Sequence, residues 1–219
     1  MIDIKYFEAV IFDMDGVLID SEPLWKIAME QTFREVGSTL TKQDFQQTVG
    51  LRLDEVIHYW YKHEAWKDVK PKEVEMRIVH RMVDLIKENG EPLPGVIETL
   101  HYLKNAGIKI GLATSSYSIL IDTVLEVLGL KDVFLITHSA EHEAYGKPNP
   151  AVYLSVAEQL GATPTSCLVI EDSLNGIISG KAARMTVVCI PEKTHHPEPK
   201  LSLADYQFET MDDFLNALH

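Results

Sequence analysis

Short apolar runs recur along the chain and predict buried strands. Each run is continuously apolar instead of alternating with polar residues, which is typical of a parallel sheet covered on both faces. Amphipathic helical patterns separate the last four runs. Strand followed by helix, repeated in this way, predicts a doubly wound α/β fold. The predicted strands are residues 9–13, 109–114, 133–137, 167–171 and 186–190.

The stretch from residue 17 to residue 91 interrupts this alternation, because its pattern predicts helices without strands. It follows the first predicted strand, and an insertion there lies above the carboxyl ends of the strands, where open α/β sheets bind ligands. We therefore predict an α/β core domain, residues 1–16 and 92–219, and a helical cap domain, residues 17–91. The predicted cap helices span roughly residues 23–36, 42–48, 52–66 and 71–89.

Composition narrows the class of protein. The 219 residues are 46% hydrophobic, which is enough for a sizeable core, and the net charge is −13. Binding of nucleic acid or anionic lipid depends on clustered cations, so we expect neither a nucleic-acid nor a membrane partner. No signal peptide or membrane-spanning run is apparent, and Cys167 and Cys189 lie in apolar runs typical of buried thiols. We therefore expect a cytoplasmic protein, with a monomer as the simplest state.

Two acidic pairs follow predicted strands. Asp13 ends the first strand with Asp15 two residues later, and Glu171 with Asp172 ends the fourth. Either pair alone could serve a strand-to-loop turn or a helix cap. Because parallel strands end at one edge of the sheet, the two pairs would repel each other unless a cation joins them. Mg²⁺, a hard cation that prefers oxygen ligands, fits this arrangement.

Hydroxyl groups and a lysine occupy two further positions of this kind. Thr114, Ser115 and Ser116 follow the second predicted strand and lead into a helix, whose free N–H groups can bind an anion. Lys147 precedes a proline-marked helix start, and its compact charge suits a phosphate oxygen. Alone, the hydroxyls could be helix caps and the lysine a solvated side chain. Together with the acidic pairs they indicate a phosphate site.

These elements occur in the order found in one known superfamily. The Asp13–Asp15 turn, Thr114, Lys147 and the Glu171–Asp172 pair resemble the signature of the haloacid dehalogenase superfamily of phosphotransferases. The resemblance covers essentially the whole chain. Four segments are similar to its bacterial sugar-phosphatase branch, which includes 2-deoxyglucose-6-phosphatases and hexitol phosphatases and is related to β-phosphoglucomutases. These segments are residues 12–25, 50–52, 147–154 and 171–185.

The resemblance implies a Mg²⁺-dependent phosphatase that hydrolyses small sugar or sugar-alcohol phosphate monoesters through an aspartyl-phosphate. Asp13 would attack phosphorus, and Asp15 would act as the general acid and base. The implied metal ligands are Asp13, Asp15 through its backbone carbonyl, Glu171 and Asp172. The implied phosphate-binding residues are Thr114, Ser115 and Lys147.

Substrate choice is expected to depend on the cap, with Glu22, Trp25 and Arg52 as candidates. The mutase relatives carry a proton-transferring histidine at the position of Trp25, so tryptophan there favours a phosphatase. Trp25 could also be an apolar anchor, and Glu22 and Arg52 could contact sugar hydroxyls or close the cap. Three alternatives stay open: a β-phosphoglucomutase-like phosphomutase, a nucleoside (pseudouridine) 5′-monophosphatase, and a phosphate-binding module without turnover.

Overall fold

A parallel β-sheet lies at the centre of the protein. The structure is a computed structural model that describes residues 1–48, 51–191 and 199–219. Its strands are β1 (Ala9–Phe12), β2 (Lys109–Thr114), β3 (Ile136–Ser139), β4 (Cys167–Glu171), β5 (Thr186–Cys189) and β6 (Tyr206–Gln207). They lie in the order β3-β2-β1-β4-β5-β6, and every neighbouring pair is parallel. This arrangement confirms the predicted α/β fold.

The described part of the chain contains nine α-helices. They are α1 (Glu22–Glu35), α2 (Lys42–Phe45), α3 (Leu53–His63), α4 (Pro71–Asn89), α5 (Val96–Asn105), α6 (Ser118–Val127), α7 (Ala151–Leu160), α8 (Leu174–Ala182) and α9 (Met211–Ala217). Short 3₁₀-helices occur at Ile4–Tyr6, Gln46–Thr48, Ala140–His142, Pro164–Ser166 and Pro199–Leu203. The helices α1 to α4 all fall between β1 and β2 in the sequence, as the interrupted alternation predicted.

Burial of both sheet faces explains the continuously apolar strands. In β1, Val10 and Phe12 belong to one apolar cluster, whereas Ala9 and Ile11 belong to a second cluster on the opposite face. All four side chains are buried. Successive residues of a strand point to opposite faces, so a strand that is covered on both sides has no position for a polar residue.

The edges of the sheet differ from the prediction. The apolar run 133–137 predicted a strand, but β3 begins only at Ile136 and continues through polar residues. Phe134 leaves the strand pattern to pack edge-on against Phe12, with ring centroids 6.2 Å apart, and Leu135 is exposed. The two-residue strand β6 was not predicted, because it is exposed and carries no apolar run. Edge strands have only one neighbour, so hydrophobic patterning defines them poorly.

Two further expectations concern the thiols and the membrane. Cys167 and Cys189 are buried free thiols, as predicted. Within the described ranges, no helix combines the length and the apolar character needed to cross a membrane.

Aromatic side chains fill the space between the helices that precede β2. Phe33 of α1 stacks on Phe45 with ring centroids 5.5 Å apart, and it contacts Trp66 edge-on at 5.6 Å. Phe33 is fully buried. These contacts hold α1 and α2 and the segment after α3 together. The division into a core domain and a cap domain of residues 17–91 stays a prediction.

We expect Phe33→Ala to lower the free energy of unfolding by about 3–5 kcal/mol, because it leaves a cavity among large aromatic rings. Urea unfolding followed by tryptophan fluorescence measures this, since Trp66 contacts the deleted ring. Arg34→Ala is the matched control, because Arg34 is the neighbouring residue in α1 and makes only a surface ion pair. We expect Arg34→Ala to lower the free energy of unfolding by less than about 1 kcal/mol. Equal losses in the two variants would contradict the packing role of Phe33.

Candidate active site

The carboxyl ends of three neighbouring strands bring the predicted catalytic residues together. Because β1 lies between β2 and β4, Asp13 stands beside both Thr114 and Glu171. The backbone N–H of Asp13 donates to Ile170 O at 3.0 Å and so extends the pairing of β1 with β4. Lys147 reaches the same point from the loop before α7. The arrangement matches the rule that open α/β sheets place ligand sites at strand carboxyl ends.

Lys147 is the central cation of the site and is buried. Its Nζ lies 2.8 Å from Asp13 Oδ1 and 2.7 Å from Glu171 Oε1, and it donates to Ala113 O at 3.2 Å. Burial by itself lowers the pKa of a lysine, but the carboxylates of Asp13 and Glu171 outweigh that effect and hold the pKa of Lys147 above its usual value. The lysine is therefore a fixed positive charge.

One lysine cannot balance the acidic residues around it. Carboxylate oxygens of Asp13, Glu171 and Asp172 lie within 4.8 Å of one another. Burial, followed by repulsion from Glu171 and Asp15, raises the pKa of Asp13 to about 7 against the attraction of Lys147. Burial, with repulsion from Glu171 and Asp13, also raises the pKa of Asp172 well above its ordinary value. These hard oxygen donors with excess negative charge fit a divalent cation such as Mg²⁺.

Glu171 is the most completely bonded carboxylate of the three. Its Oε1 accepts from Lys147 and from Tyr153 OH at 2.6 Å, and its Oε2 accepts from Asp172 N, Ser173 N and Ser173 Oγ. Although burial raises its pKa, the contact with Lys147 outweighs burial and lowers it. This saturation favours Asp13 and Asp172 as direct metal ligands, with Glu171 orienting Lys147 and the strand end.

A tight turn brings the two acidic motifs into contact. Gly16 has a φ of +72°, which is strained for a residue with a side chain. A Cβ at this position would lie 2.1 Å from Asp172 Oδ2. The glycine of the first motif is therefore needed both for the turn and for the approach of Asp172.

Asp15 is held by hydroxyl groups and an indole. Its Oδ1 accepts from Ser21 Oγ at 2.6 Å and from Trp25 Nε1 at 3.1 Å. Its Oδ2 accepts from Ser116 Oγ at 2.6 Å and lies 3.4 Å from Thr114 Oγ1. The side chain of Asp15 is thus fixed by residues from both sides of the site. Trp25, which could have been only an apolar anchor, makes a polar contact with it.

A cavity of about 160 Å³ opens above these groups and is lined by Asp13, Asp15, Lys147 and Asp172. Ser115 also lines it, and its Oγ is shielded from solvent with no hydrogen-bond partner among the described residues. A buried hydroxyl without a partner is costly unless a ligand satisfies it. The position of Ser115 therefore agrees with its predicted role in binding phosphate.

The predicted cap residues occupy two different places. Glu22 and Trp25 line the cavity. Arg52 does not line it: the guanidinium pairs with Asp54 at 2.6 and 2.8 Å and donates to Ala140 O and Glu143 O. Of the two roles considered for Arg52, this geometry agrees with holding the cap against the core. Gly50, part of the same predicted motif, lies outside the described residues.

Sequence reasoning missed several residues that support the site. Tyr153 has the helical spacing of a core residue in α7, yet its hydroxyl donates to Glu171 and its ring centroid lies 4.9 Å from Lys147 Nζ. Tyrosine on a buried face needs a partner for its hydroxyl, which was the available signal. Ser21 donates to Asp15, and Ser173 donates to Glu171. Their adjacency to acidic motifs was visible, but their partners were not.

Comparison with known proteins identifies the class. The family model of the haloacid dehalogenase-like hydrolases matches residues 10–190. The chain belongs to this family, which confirms the resemblance inferred from the motifs.

The chain is also similar to individual proteins of known name or structure. The chain is 38% identical over 206 residues to hexitol phosphatase B of Escherichia coli (strain K12), covering 94% of this chain and 93% of that protein. It is 34% identical over 179 residues to the phosphorylated carbohydrates phosphatase of Thermotoga maritima, covering 80% and 81%. The structure of CbbY from Rhodobacter sphaeroides in complex with phosphate has a TM-score of 0.88 at 23% identity, covering 95% and 96%. That last likeness shows the fold alone.

We expect Mg²⁺ to raise the melting temperature, and to do so more strongly at about pH 8 than at about pH 5. The pKa of Asp13 is raised from 3.8 to about 7. Its bound proton therefore stabilises the metal-free fold at low pH, and that contribution is lost as the pH rises through about 7. The metal binds ionised carboxylates. It therefore stabilises the fold most at pH values where Asp13 has lost its proton and the carboxylates of the cluster repel one another. Thermal unfolding in EDTA and in Mg²⁺ across pH measures the effect.

Asp172→Asn provides the comparison for this experiment. The variant removes one of the repelling carboxylates, so we expect it to melt above the parent in EDTA at about pH 8 and to respond less to Mg²⁺. An unchanged Mg²⁺ response in Asp172→Asn would argue against this cluster as the metal site.

Proposed function

We propose that this protein is a Mg²⁺-dependent phosphatase that hydrolyses small sugar or sugar-alcohol phosphate monoesters through an aspartyl-phosphate. The observation that carries the proposal is the contact of Lys147 with Asp13 at 2.8 Å, within the acidic cluster and beneath a small cavity. The likeness to hexitol phosphatase B over almost the whole chain supports the substrate class.

Asp13 is the proposed nucleophile. Its carboxylate faces the cavity at the end of β1, where an ester phosphate would meet Lys147. Attack requires the ionised carboxylate, which Lys147 favours by attraction. Asp13 and Asp172 would hold Mg²⁺, which when bound supplies the positive charge that screens the phosphoryl oxygens. Phosphoryl transfer depends chiefly on such positioning and charge stabilisation.

The phosphate oxygens have two further proposed partners in the core. Ser115 Oγ is buried without a protein partner, and Lys147 carries a permanent charge. Thr114 Oγ1 accepts the backbone N–H of Ser116 at 3.1 Å, which fixes the turn that presents Ser115. We therefore assign Ser115 and Lys147 to the phosphate and Thr114 to the shape of the loop that holds it.

Asp15 is the proposed general acid and base. It would protonate the leaving alkoxide and later take a proton from the water that hydrolyses the phosphoenzyme. Hydrogen bonds from Ser21, Ser116 and Trp25 hold its carboxylate in one orientation at the edge of the cavity. The side chain therefore needs little reorganisation to reach the leaving oxygen.

The phosphomutase alternative differs from this proposal in its product, and the nucleotidase alternative differs in its substrate. A mutase would return the phosphoryl group from Asp13 to a sugar, whereas a phosphatase delivers it to water. A screen of hexose, pentose, hexitol and nucleoside monophosphates, measuring released phosphate with Mg²⁺ and with EDTA, separates the alternatives. A binding module would release no phosphate from any ester, and that outcome would refute the proposed enzyme.

We expect Asp13→Asn to lower turnover of a chromogenic phosphate ester by at least about 10⁴-fold, because the amide is not a nucleophile. Asp15→Asn should lower steady-state turnover by about 10²–10⁴-fold while still forming phosphoenzyme from a substrate with a good leaving group. Intact-protein mass spectrometry after rapid quenching detects the phosphoenzyme. Phosphoenzyme in Asp13→Asn with full turnover would rule out Asp13 as the nucleophile.

We also expect Trp25→Phe to lower kcat by about 10-fold with a smaller change in KM, because it removes one N–H donor from Asp15 and keeps an aromatic ring. Steady-state kinetics on the best ester of the screen separates the two constants. Trp66→Phe is the control, since the buried Trp66 indole nitrogen has no partner among the described residues. A rise in KM alone would make Trp25 part of the cavity wall without a positioning role.

A further inference from the structure

The wall of the cavity that faces the catalytic carboxylates comes from the residues between β1 and β2. The apolar residues that line it are Trp25, Met29, Phe45, Leu51, Leu53 and Val56. A substrate whose phosphate rests on Lys147 would direct its other end toward this wall. The chemistry of the wall therefore decides what that end can carry.

Three polar side chains of this wall, Glu22, Lys26 and Thr48, already have ion-pair or hydrogen-bond partners. Lys26 lines the cavity, but its Nζ lies 2.9 Å from Glu22 Oε1, so the pair is neutral overall. Thr48 donates its hydroxyl hydrogen to Phe45 O and accepts from Trp60 Nε1. Among the described residues that line the cavity, the charged groups of this wall beyond Asp20 are Glu22 and Lys26.

Arg52 is also unavailable to the cavity. Its guanidinium is held by Asp54 and by the carbonyl oxygens of Ala140 and Glu143. A phosphate dianion placed against this wall would therefore lose water and meet apolar side chains and the Glu22 carboxylate. A charge desolvated without a partner is strongly disfavoured.

We propose that this cavity selects monophosphates and rejects bisphosphates, with the Glu22–Lys26 pair as the specificity determinant, because a second phosphate finds no unpaired cation among the described residues of the wall. This inference rests on the proposed function. The inference also argues against the phosphomutase alternative, because a mutase that works through a sugar bisphosphate must bind both phosphates in turn.

Two matched pairs of substrates test the selectivity: glucitol 6-phosphate with glucitol 1,6-bisphosphate, and fructose 6-phosphate with fructose 1,6-bisphosphate. We expect kcat/KM for phosphate release to be at least about 100-fold lower for each bisphosphate. If the monophosphate of a pair is hydrolysed and the two kcat/KM values of that pair agree within about threefold, this inference is overturned and the proposed function still stands. If no monophosphate in the wider screen is hydrolysed, the proposed function fails and this inference fails with it.

Glu22→Gln tests the determinant, because it removes the negative charge 2.9 Å from Lys26 Nζ without changing the size of the side chain. We expect it to raise kcat/KM for the bisphosphates by about 10-fold and so to narrow the ratio to the monophosphates. The double variant Glu22→Gln/Lys26→Gln should return to the parent ratio of kcat/KM, since the positive charge of Lys26 is gone as well. A ratio that does not change in Glu22→Gln, or a gain that survives in the double variant, overturns the assignment.

Glu30→Gln is the matched control for charge. Glu30 lies in the same helix, pairs with Arg34 at 3.1 Å in the same i,i+4 relation, and lies outside the lining of the cavity. Glu30→Gln changes the net charge of the protein by the same amount as Glu22→Gln but lies away from the cavity. We therefore expect the same ratio of monophosphate to bisphosphate kcat/KM as in the parent protein. An equal gain in Glu30→Gln would assign the effect to overall charge and overturn the role of the Glu22–Lys26 pair.

Discussion

The contact of one buried ammonium group with two buried carboxylates is the interaction on which the site depends. Lys147 lies 2.8 Å from Asp13 and 2.7 Å from Glu171, and all three side chains are buried. Removing a single partner from such a group leaves a charge uncompensated, which is far more costly than losing a surface pair. Because Asp172 adds a further carboxylate, the group keeps a negative excess that only a proton or a metal can balance.

Two features of the fold bring the charged residues of this cluster together: the order of the strands and the glycines beside the carboxylates. The order β2-β1-β4 sets three strand ends side by side, so residues far apart in sequence meet at one edge. Glycine then removes the side chains that would separate them. A Cβ at Gly16 would strike Asp172, and one at Gly176 would lie 1.7 Å from Glu171 Oε1. Gly16 thus lets Asp172 approach the turn of the first motif, and Gly176 makes room for Glu171 beside α8. The positive charge of Lys147 offsets part of the repulsion among the carboxylates.

Much of this arrangement could be predicted from the sequence, because strand ends are visible as the point where an apolar run stops. Asp13 and Glu171 were placed in this way. Tyr153 was not, since its helical spacing is that of a packed core residue and its hydroxyl partner is 18 residues away. Arg52 could not be placed either, because its acceptors are carbonyl groups 88 and 91 residues further along the chain. Periodicity reports which face is buried but does not reveal which polar atoms meet there.

Trp25 joins the chemistry to the choice of substrate. Its indole N–H donates to Asp15 while the residue lines the cavity beside Met29 and Phe45. A tryptophan N–H can only donate, so this contact favours an oxygen of Asp15 that carries no proton. The neighbouring hydroxyls of Ser21 and Ser116 can rotate and either donate or accept. If Asp15 acts as the proposed general acid and base, its proton would therefore be held more easily on Oδ2, beside Ser116, than on Oδ1. A substrate that displaced Trp25 would alter this preference, so the proposed proton transfer would depend on how the cavity wall meets the substrate.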